Sequence, residues 1–311
     1  MLILVPVLTY LVIVFYSGFD KFFSAFSKIN LFFIPLLFVL AFGNYVARFV
    51  KWHYFCQKSN ILVDKAINFK IFMAGLAMSF TPLKAGDLLK SHLLKTNADI
   101  EYSKSAPLVF VERLTDMIAM LVLAAVGMVV FNKGWVLLAI TAALVMLVIV
   151  LLQNKRLVLW LLSLFKFGFA EKIRESYLVA SKLVKVKPLI IAVIISIFSW
   201  YLECLALFFT LKALGFSISM LSAIFVFAFS TIAGTVSALP GGVGVSEASL
   251  YGLLVYFSVP AGVAAASTIV IRIVTLWFAV GLGSLNLVRL ARVNKTLKKD
   301  LNKTNRMAGN T

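Results

Sequence analysis

Ala238-Leu239-Pro240-Gly241-Gly242-Val243-Gly244-Val245-Ser246-Glu247 interrupts an otherwise apolar region of the chain. Apolar segments flank this stretch on both sides, and its proline, three glycines and carboxylate would break a membrane helix. Within a bilayer an unsatisfied backbone group is costly, so irregular backbone persists only where protein or trapped water covers it. Such breaks occur at the substrate sites of transporters, because the exposed helix ends carry partial charge. We therefore expect a functional site around this break.

The composition is that of a protein embedded in a membrane. Of 311 residues, 62% are hydrophobic and only 14% are charged, and the mean hydropathy is +1.02. The net charge of +18 comes from basic residues in short loops and in the C-terminal tail. That distribution follows the positive-inside rule and suits anionic lipid head groups, so we expect membrane lipids rather than nucleic acid as partners.

Six apolar segments are long enough to cross a bilayer, which takes about 20 helical residues. They are 1–17, 31–50, 106–131, 135–152, 188–211 and 261–288. Two further apolar regions, 67–95 and 219–258, are each broken by a proline followed by glycine. In the first region the apolar arm 67–80 has only about 14 residues, and in the second region the second arm, about 246–258, is too short for a comfortable crossing.

Loop charges predict the orientation of these segments. The basic segment 153–187, the basic tail 289–311 and the loop 51–65, with Lys51, Lys58 and Lys65, are all predicted to be cytoplasmic. Both termini then lie in the cytoplasm of a cell whose inner (plasma) membrane holds the protein. Counting crossings between cytoplasmic loops makes 67–95 a hairpin that enters from the cytoplasm and 219–258 a hairpin that enters from outside.

The predicted fold is an all-α polytopic membrane protein with six full spans and two re-entrant helical hairpins in an inverted-topology repeat. Residues 1–288 form the membrane domain, with repeat one at about 31–131 and repeat two at about 188–288. Sequence spacing supports the repeat independently. Pro82 precedes Gly86, Asp87 and Arg113 much as Pro240 precedes Gly244, Glu247 and Arg272.

Arg113 and Arg272 lie inside otherwise apolar spans. A charge at the bilayer centre costs at least ~2.5–3.5 kcal/mol on insertion scales, so such residues are rare and paired or solvated. Their planar guanidinium groups fit phosphate, which predicts a lipid phosphate held by one arginine from each repeat. The alternative is internal pairing, of Arg113 with Asp116 and of Arg272 with Glu247.

The predicted hairpin tips are candidate substrate contacts. A helix that starts near Val245 would aim its N-terminal amides at the tip, and Gly241, Gly242 and Gly244 would let the backbone approach a head group. A tight turn would equally explain the glycines. Asp87 and Glu247 would cap the return helices, contact an amine or hydroxyl of the substrate, or carry a coupling proton.

Other polar residues have weaker interpretations. Glu112, Asp116 and Glu203 are predicted to pair with the intramembrane arginines, and Glu203 is also a proton candidate. The two histidines, His53 and His92, have no cluster of metal-ligating residues at suitable spacing, so we expect no metal and no cofactor. The sequence has no nucleotide-binding loop, which favours passive or ion-coupled transport.

Four motifs together resemble one family. SFTPLKAGDLLKSHLL at 79–94, VFVERLTDM at 109–117, SALPGGVGVSEASL at 237–250 and STIVIRIVTLWF at 267–278 are similar to the lysylphosphatidylglycerol synthase transmembrane region family. This is also described as the flippase-like group or uncharacterised protein family 0104. The family pattern maps onto Pro82, Gly86, Asp87, Glu112, Arg113, Asp116, Pro240, Gly241, Gly242, Gly244, Glu247 and Arg272.

The resemblance implies a polytopic unit that, in multiple-peptide-resistance proteins, flips aminoacylated phosphatidylglycerol beside a cytosolic synthase domain. Because the tail ends at residue 311, we expect no synthase domain here and no aminoacyl transfer. Some relatives of this kind work with glycosyltransferases on polyprenyl-linked sugars.

Three hypotheses follow. The leading one is a lipid translocator, not an enzyme, that moves an anionic phospholipid or a polyprenyl-phosphate-linked head group across the inner membrane. The second is a membrane scaffold or accessory subunit for a separately encoded lipid synthase or glycosyltransferase. The third is an intramembrane lipid transferase that uses the acidic residues.

Overall fold

Helices form every regular element that the structure describes. The computed structural model describes residues 4–81, 86–128, 135–163 and 170–292. The first half contains α1 (Leu4–Ser17), α2 (Phe19–Ser27), α3 (Phe33–Lys58), α4 (Lys65–Gly75), α5 (Leu89–Ala98), α6 (Tyr102–Gly127) and α7 (Trp135–Gln153). The second half contains α8 (Lys155–Ser163), α9 (Ala170–Leu183), α10 (Val186–Ala213), α11 (Met220–Val236), α12 (Val245–Tyr256) and α13 (Ala261–Arg272). α13 runs on through a π-helical turn, Ile273–Trp277, to Arg292.

The lengths and compositions of the helices are those of a membrane protein. Four of the described helices are long and apolar enough to cross a bilayer, namely α3, α7, α10 and the extended α13. α1 and α2 would make a fifth crossing together, but they meet at 99° on Gly18, which has a φ of +84°. The span predicted over 1–17 therefore ends at a sharp bend between α1 and α2.

α6 differs from the other long helices by its charge. At 26 residues it is long enough to span, about 39 Å at 1.5 Å per residue. Its centre, however, carries Glu112, Arg113 and Asp116. This helix is therefore long enough for one of the six predicted crossings but is not apolar throughout.

The surface and core follow the logic of a lipid environment. α7 exposes large apolar side chains along its length, including Val136, Ile140, Leu144 and Leu147. The core lies where α10 packs against α3, α6 and α11. Polar groups concentrate in this interior, the reverse of a water-soluble protein, because the surrounding lipid favours an apolar outer surface.

Each of the two broken regions folds as a pair of short helices. α4 starts at its N-cap Asp64, whose carboxylate accepts hydrogen bonds from the Ala66 and Ile67 amides at 2.9 and 3.0 Å. It packs against α5, and α11 packs against α12. At 10 to 12 residues, α4, α5 and α12 are too short to cross alone, since a crossing takes about 20 residues.

One prediction about the loops is wrong. The loop predicted over 51–65 as a cytoplasmic segment starts too early, because α3 continues to Lys58 and Lys51 is fully buried within it. The apolar residues Trp52, Phe55 and Cys56 extend the helix past the charge. The basic segment 153–187 is largely helical, as α8 and α9. Of the predicted tail, residues 293–311 lie outside the described part of the chain.

Candidate functional site

The two chain breaks meet. The amide of Gly241, in the second break, donates to the carbonyl of Thr81, in the first, at 3.4 Å. Thr81 also shapes its own turn, since its hydroxyl accepts a hydrogen bond from the Gly86 amide at 2.7 Å. Pro82 lies outside the described residues. The sequence separates these two turns by 160 residues, and the fold brings them into contact.

The second break depends on glycine. Gly241, Gly242 and Gly244 have φ values of +61°, +68° and +92°, in a region that residues with a side chain rarely adopt. Pro240 begins a short 3₁₀ turn that these glycines complete. The Glu247 carboxylate accepts the Gly244 amide at 2.8 Å and so caps α12 from within. This conformation reverses the chain within a few residues.

A cavity of about 500 Å³ lies beside the meeting point. Its polar lining residues include Arg48, Asp87, Arg113, Asp116, Glu203 and Arg272, and the tip residues Gly241 and Gly242 also line it. Its apolar lining residues include Phe110, Met117, Met120, Phe227 and Leu239. Phe110 and Leu239 are 50% and 44% exposed, so the cavity opens to the surface of the protein at these two residues.

Arg113 is surrounded by carboxylates. Its Nε lies 3.2 Å from Asp87 Oδ2, its Nη2 lies 2.8 Å from Glu112 Oε1, and its Nη1 lies 3.2 Å from Asp116 Oδ2. Asp87 comes from the end of the first break and the other two from α6, so the guanidinium ties the tip of the α4–α5 pair to a long helix. The pairing with Asp116 is the alternative that the sequence analysis offered.

Arg272 has one carboxylate partner. Its Nε donates to Glu247 Oε1 at 2.7 Å, while Oε2 of the same carboxylate accepts the Gly244 amide at 2.8 Å. Glu247 is fully buried. It therefore joins α13, α12 and the glycine turn through a single side chain. This pairing too is the alternative that the sequence analysis offered.

The π-helical turn after Arg272 has a partner on α3. Tyr45 donates its hydroxyl to the carbonyl of Thr275 at 2.5 Å. A π turn leaves a carbonyl without its usual helical donor and often lies at a functional site. Both Tyr45 and Thr275 line the cavity, so this bond fixes α3 against α13 at the cavity wall.

Three buried cations were missed by the sequence analysis. Lys51 binds Asp116 at 2.5 Å and the Ser196 hydroxyl at 2.7 Å. Lys90 pairs with Glu112 and lies 4.4 Å from the centre of the Trp52 ring. Arg48 lies 3.5 Å from Glu112 and lines the cavity. The signal was available for α3, where Arg48 and Lys51 lie one turn apart within a run of apolar residues.

The predicted site residues that the structure describes fall into three groups. Asp87, Arg113, Asp116, Glu203, Gly241, Gly242 and Arg272 line the cavity. Glu112 and Glu247 are fully buried and pair with Arg113 and Arg272, respectively. Gly86, Pro240 and Gly244 shape the turns. Within the part of the chain that the structure describes, this buried region holds five cationic side chains (Arg48, Lys51, Lys90, Arg113, Arg272) and five carboxylates (Asp87, Glu112, Asp116, Glu203, Glu247).

The sequence is similar to proteins described as UPF0104 membrane proteins. A UPF0104 membrane protein of Methanothermobacter thermautotrophicus is 39% identical over 92 residues, 30% of this chain and 28% of that protein. A protein of the same description and organism is 23% identical over 264 residues, 75% of this chain and 78% of the relative. UPF0104 membrane protein MJ1078 of Methanocaldococcus jannaschii is 23% identical over 218 residues, 67% and 91% of the two chains.

A family model extends the match along almost the whole sequence. The model described as the Lysylphosphatidylglycerol synthase TM region covers residues 3–283. That range includes both breaks, both arginines and the carboxylates that hold them. The chain belongs to the lysylphosphatidylglycerol synthase transmembrane region family.

Proposed function

We propose that this protein translocates a lipid with an anionic, phosphate-containing head group across the plasma membrane. In this proposal the phosphate lies near the middle of the bilayer, among the intramembrane arginines that line the cavity. The observation that carries the proposal is the cavity itself, whose lining combines guanidinium groups with apolar side chains and which opens to the surface of the protein at Phe110 and Leu239. An amphiphile matches such a surface, with its head group inside and its chains in the lipid.

The volume of the cavity is consistent with a head group. About 500 Å³ falls within the ~300–1,000 Å³ of small-molecule sites. The exposed edge at Phe110 and Leu239 gives acyl or prenyl chains a way to remain outside.

The proposed architecture has six spans and two re-entrant hairpins of opposite entry, formed by α4–α5 and α11–α12. Loop charges favour a cytoplasmic location for both termini. The contact between Gly241 and Thr81 supports this arrangement, since two hairpins that enter from opposite leaflets would meet mid-membrane. Alternating movement of the two repeats about that contact would expose the cavity to each leaflet in turn.

The test is reconstitution of the full chain in liposomes with fluorescent phosphatidylglycerol. A membrane-impermeant quencher should reach inner-leaflet label only in vesicles that contain the protein. Arg272→Gln should slow this exchange at least ~10-fold, because a charge-assisted contact is lost. Lys104→Gln should not, because Lys104 is half-exposed and its ion pair with Glu175 is long, at 3.9 Å.

The remaining outcomes discriminate the rival functions. Exchange without any added cosubstrate supports translocation. Formation of a new lipid product would instead indicate a transferase. Absence of both exchange and product in vesicles that contain folded protein would contradict the proposal and favour a scaffold for a separate enzyme.

A further inference from the structure

Arg48 is a buried guanidinium that no sequence motif identified. It lies on α3, one turn after Tyr45, and lines the same cavity as Arg113 and Arg272. Only 7% of the residue is exposed. Its guanidinium carbon lies 5.9 Å from the centre of the Trp200 ring, which lines the cavity as well.

The carboxylate nearest to Arg48 is already occupied. Glu112 Oε1 lies 2.8 Å from Arg113 Nη2, and Lys90 binds Glu112 Oε2. Arg48 Nη2 is a third cationic contact, at 3.5 Å from Oε1. Arg48 Nε is buried and has no hydrogen-bond acceptor. A buried donor without an acceptor is costly, so this atom marks a place where a ligand would be stabilised.

Arg272 has a spare donor as Arg48 does, whereas every guanidinium nitrogen of Arg113 lies against a carboxylate. Arg272 gives its Nε to Glu247, but its Nη2 is buried without an acceptor. Arg113 Nε also makes no hydrogen bond of good geometry, but each of the three Arg113 nitrogens has a carboxylate oxygen within 3.2 Å. In this conformation Arg113 is paired with carboxylates of the protein. The N–H donors available to a ligand are those of Arg48 on α3 and Arg272 on α13.

We propose that Arg48 and Arg272 form the anion-binding contacts of the cavity, while Arg113 organises the carboxylates around it. This inference rests on the proposed function and redistributes its phosphate contacts. Asp87, Asp116 and Glu203 also line the cavity, where Arg113 pairs with Asp87, and both Arg113 and Lys51 pair with Asp116. Binding of an anion therefore depends on directed guanidinium donors rather than on an excess of positive charge.

The ligand chemistry is a phosphate ester or a free phosphate. A guanidinium presents paired N–H donors that match two oxygens of a phosphate, whereas an ammonium offers a point charge. A lipid head group and inorganic phosphate share this chemistry. They differ in the apolar part, which only the lipid would place against Phe110, Met117 and Leu239.

The test measures selectivity as well as affinity. Purified full-length protein in an uncharged detergent is titrated with dihexanoylphosphatidylglycerol, with uncharged dihexanoylglycerol and with inorganic phosphate. The native protein should prefer the phosphate amphiphile to the uncharged one at least ~10-fold, and Arg48→Gln should remove that preference while it retains binding of the uncharged amphiphile. Arg48→Lys should recover part of the preference, and Lys104→Gln should match the native protein.

Each result decides something. A preference that survives in both Arg48→Gln and Arg48→Lys would overturn the assignment of Arg48 and leave the proposed function standing. If Arg48→Gln does not fold, Arg48→Lys alone decides, because loss of planar donors should still weaken the preference. A native protein with no preference for the phosphate amphiphile would overturn both proposals. Inorganic phosphate that binds as tightly as the amphiphile would support the anion site and contradict a lipid occupant.

Discussion

Charged side chains buried within a membrane protein are stable only when they pair with one another. Arg113 holds Asp87, Glu112 and Asp116 at 2.8–3.2 Å, and Glu247 holds both Arg272 and the Gly244 amide. Removing one member of such a group leaves an uncompensated charge, which costs more than the group contributed as a whole. Substitution of a single charged residue should therefore change the stability of the protein whatever lipid it transports.

Arg113→Gln should lower the free energy of unfolding by roughly 3 kcal/mol, because three carboxylates lose their shared cation. Arg113→Gln combined with Asp87→Asn should recover part of this loss, since one orphaned carboxylate is neutralised. Detergent unfolding of the purified protein measures both, with Lys104→Gln as the control. Full stability of Arg113→Gln alone would show that the network does not support the fold.

Glu247→Gln should lower the free energy of unfolding by roughly 2 kcal/mol. A carboxylate accepts from Gly244 and from Arg272 at once, whereas an amide has one acceptor oxygen and would turn its N–H₂ toward another donor. Glu175→Gln, in a partly exposed pair with Lys104, should change stability by less than about 0.5 kcal/mol. Equal effects of the two substitutions would contradict this role of Glu247.

The sequence identifies the arginines and carboxylates of the site better than it identifies the lysines. An arginine amid apolar residues, such as Arg113 or Arg272, is informative because it has no simple explanation. Lys51 and Lys90 lie near the predicted ends of apolar segments, where a positive loop charge is ordinary. Their burial depends on Asp116 and Glu112, which are distant in the sequence, so only the tertiary structure shows it.

At the scale of elements, α11 and α12 approach closely because Gly234 has no side chain. A Cβ at Gly234 would collide with the hydroxyl of Ser246. Gly234→Ala should therefore destabilise the protein by about 1–3 kcal/mol, the usual cost of overpacking. Ser246→Ala in the same chain should recover part of that loss, because it removes the nearest atom.

Gly252→Ala is a matched control on the same helix pair. A Cβ at Gly252 meets no atom within 4 Å, and alanine favours helix over glycine by about 1 kcal/mol. Thermal unfolding should show Gly252→Ala as stable as the native protein or more so. A native-like Gly234→Ala would mean that α11 and α12 can separate without cost.

Helix positions can be predicted from the sequence with small errors, whereas bends in the helices cannot. The arms predicted at 219–238 and 246–258 correspond to α11 at Met220–Val236 and α12 at Val245–Tyr256, because apolar length and the Pro-Gly break are local signals. The bend at Gly18 and the π-helical turn after Arg272 depend on packing, of α2 against α13 and of Tyr45 against Thr275. A single segment of sequence does not contain that information.

The whole molecule combines one cavity with two chain breaks that touch. Family membership extends over residues 3–283 and so covers both. The contact between Gly241 and Thr81 is consistent with two hairpins of opposite entry, and the lengths of α4, α5 and α12 suit arms that stop part-way. The translocation proposal depends on this topology. The cavity can be reached from both leaflets only if the two hairpin tips meet between those leaflets.

Cysteine accessibility tests that topology most directly. The native Cys56 and Cys204 are buried and can be replaced, and single cysteines are then introduced on either side of each hairpin. Leu62→Cys and Glu101→Cys flank α4–α5, and Ser217→Cys and Pro260→Cys flank α11–α12; all four positions are exposed. A membrane-impermeant maleimide should label the first pair only from the cytoplasmic face and the second pair only from the outer face. Labelling of either pair from opposite faces would show that the segment between them crosses the membrane, and would contradict the inverted repeat and the function proposed from it.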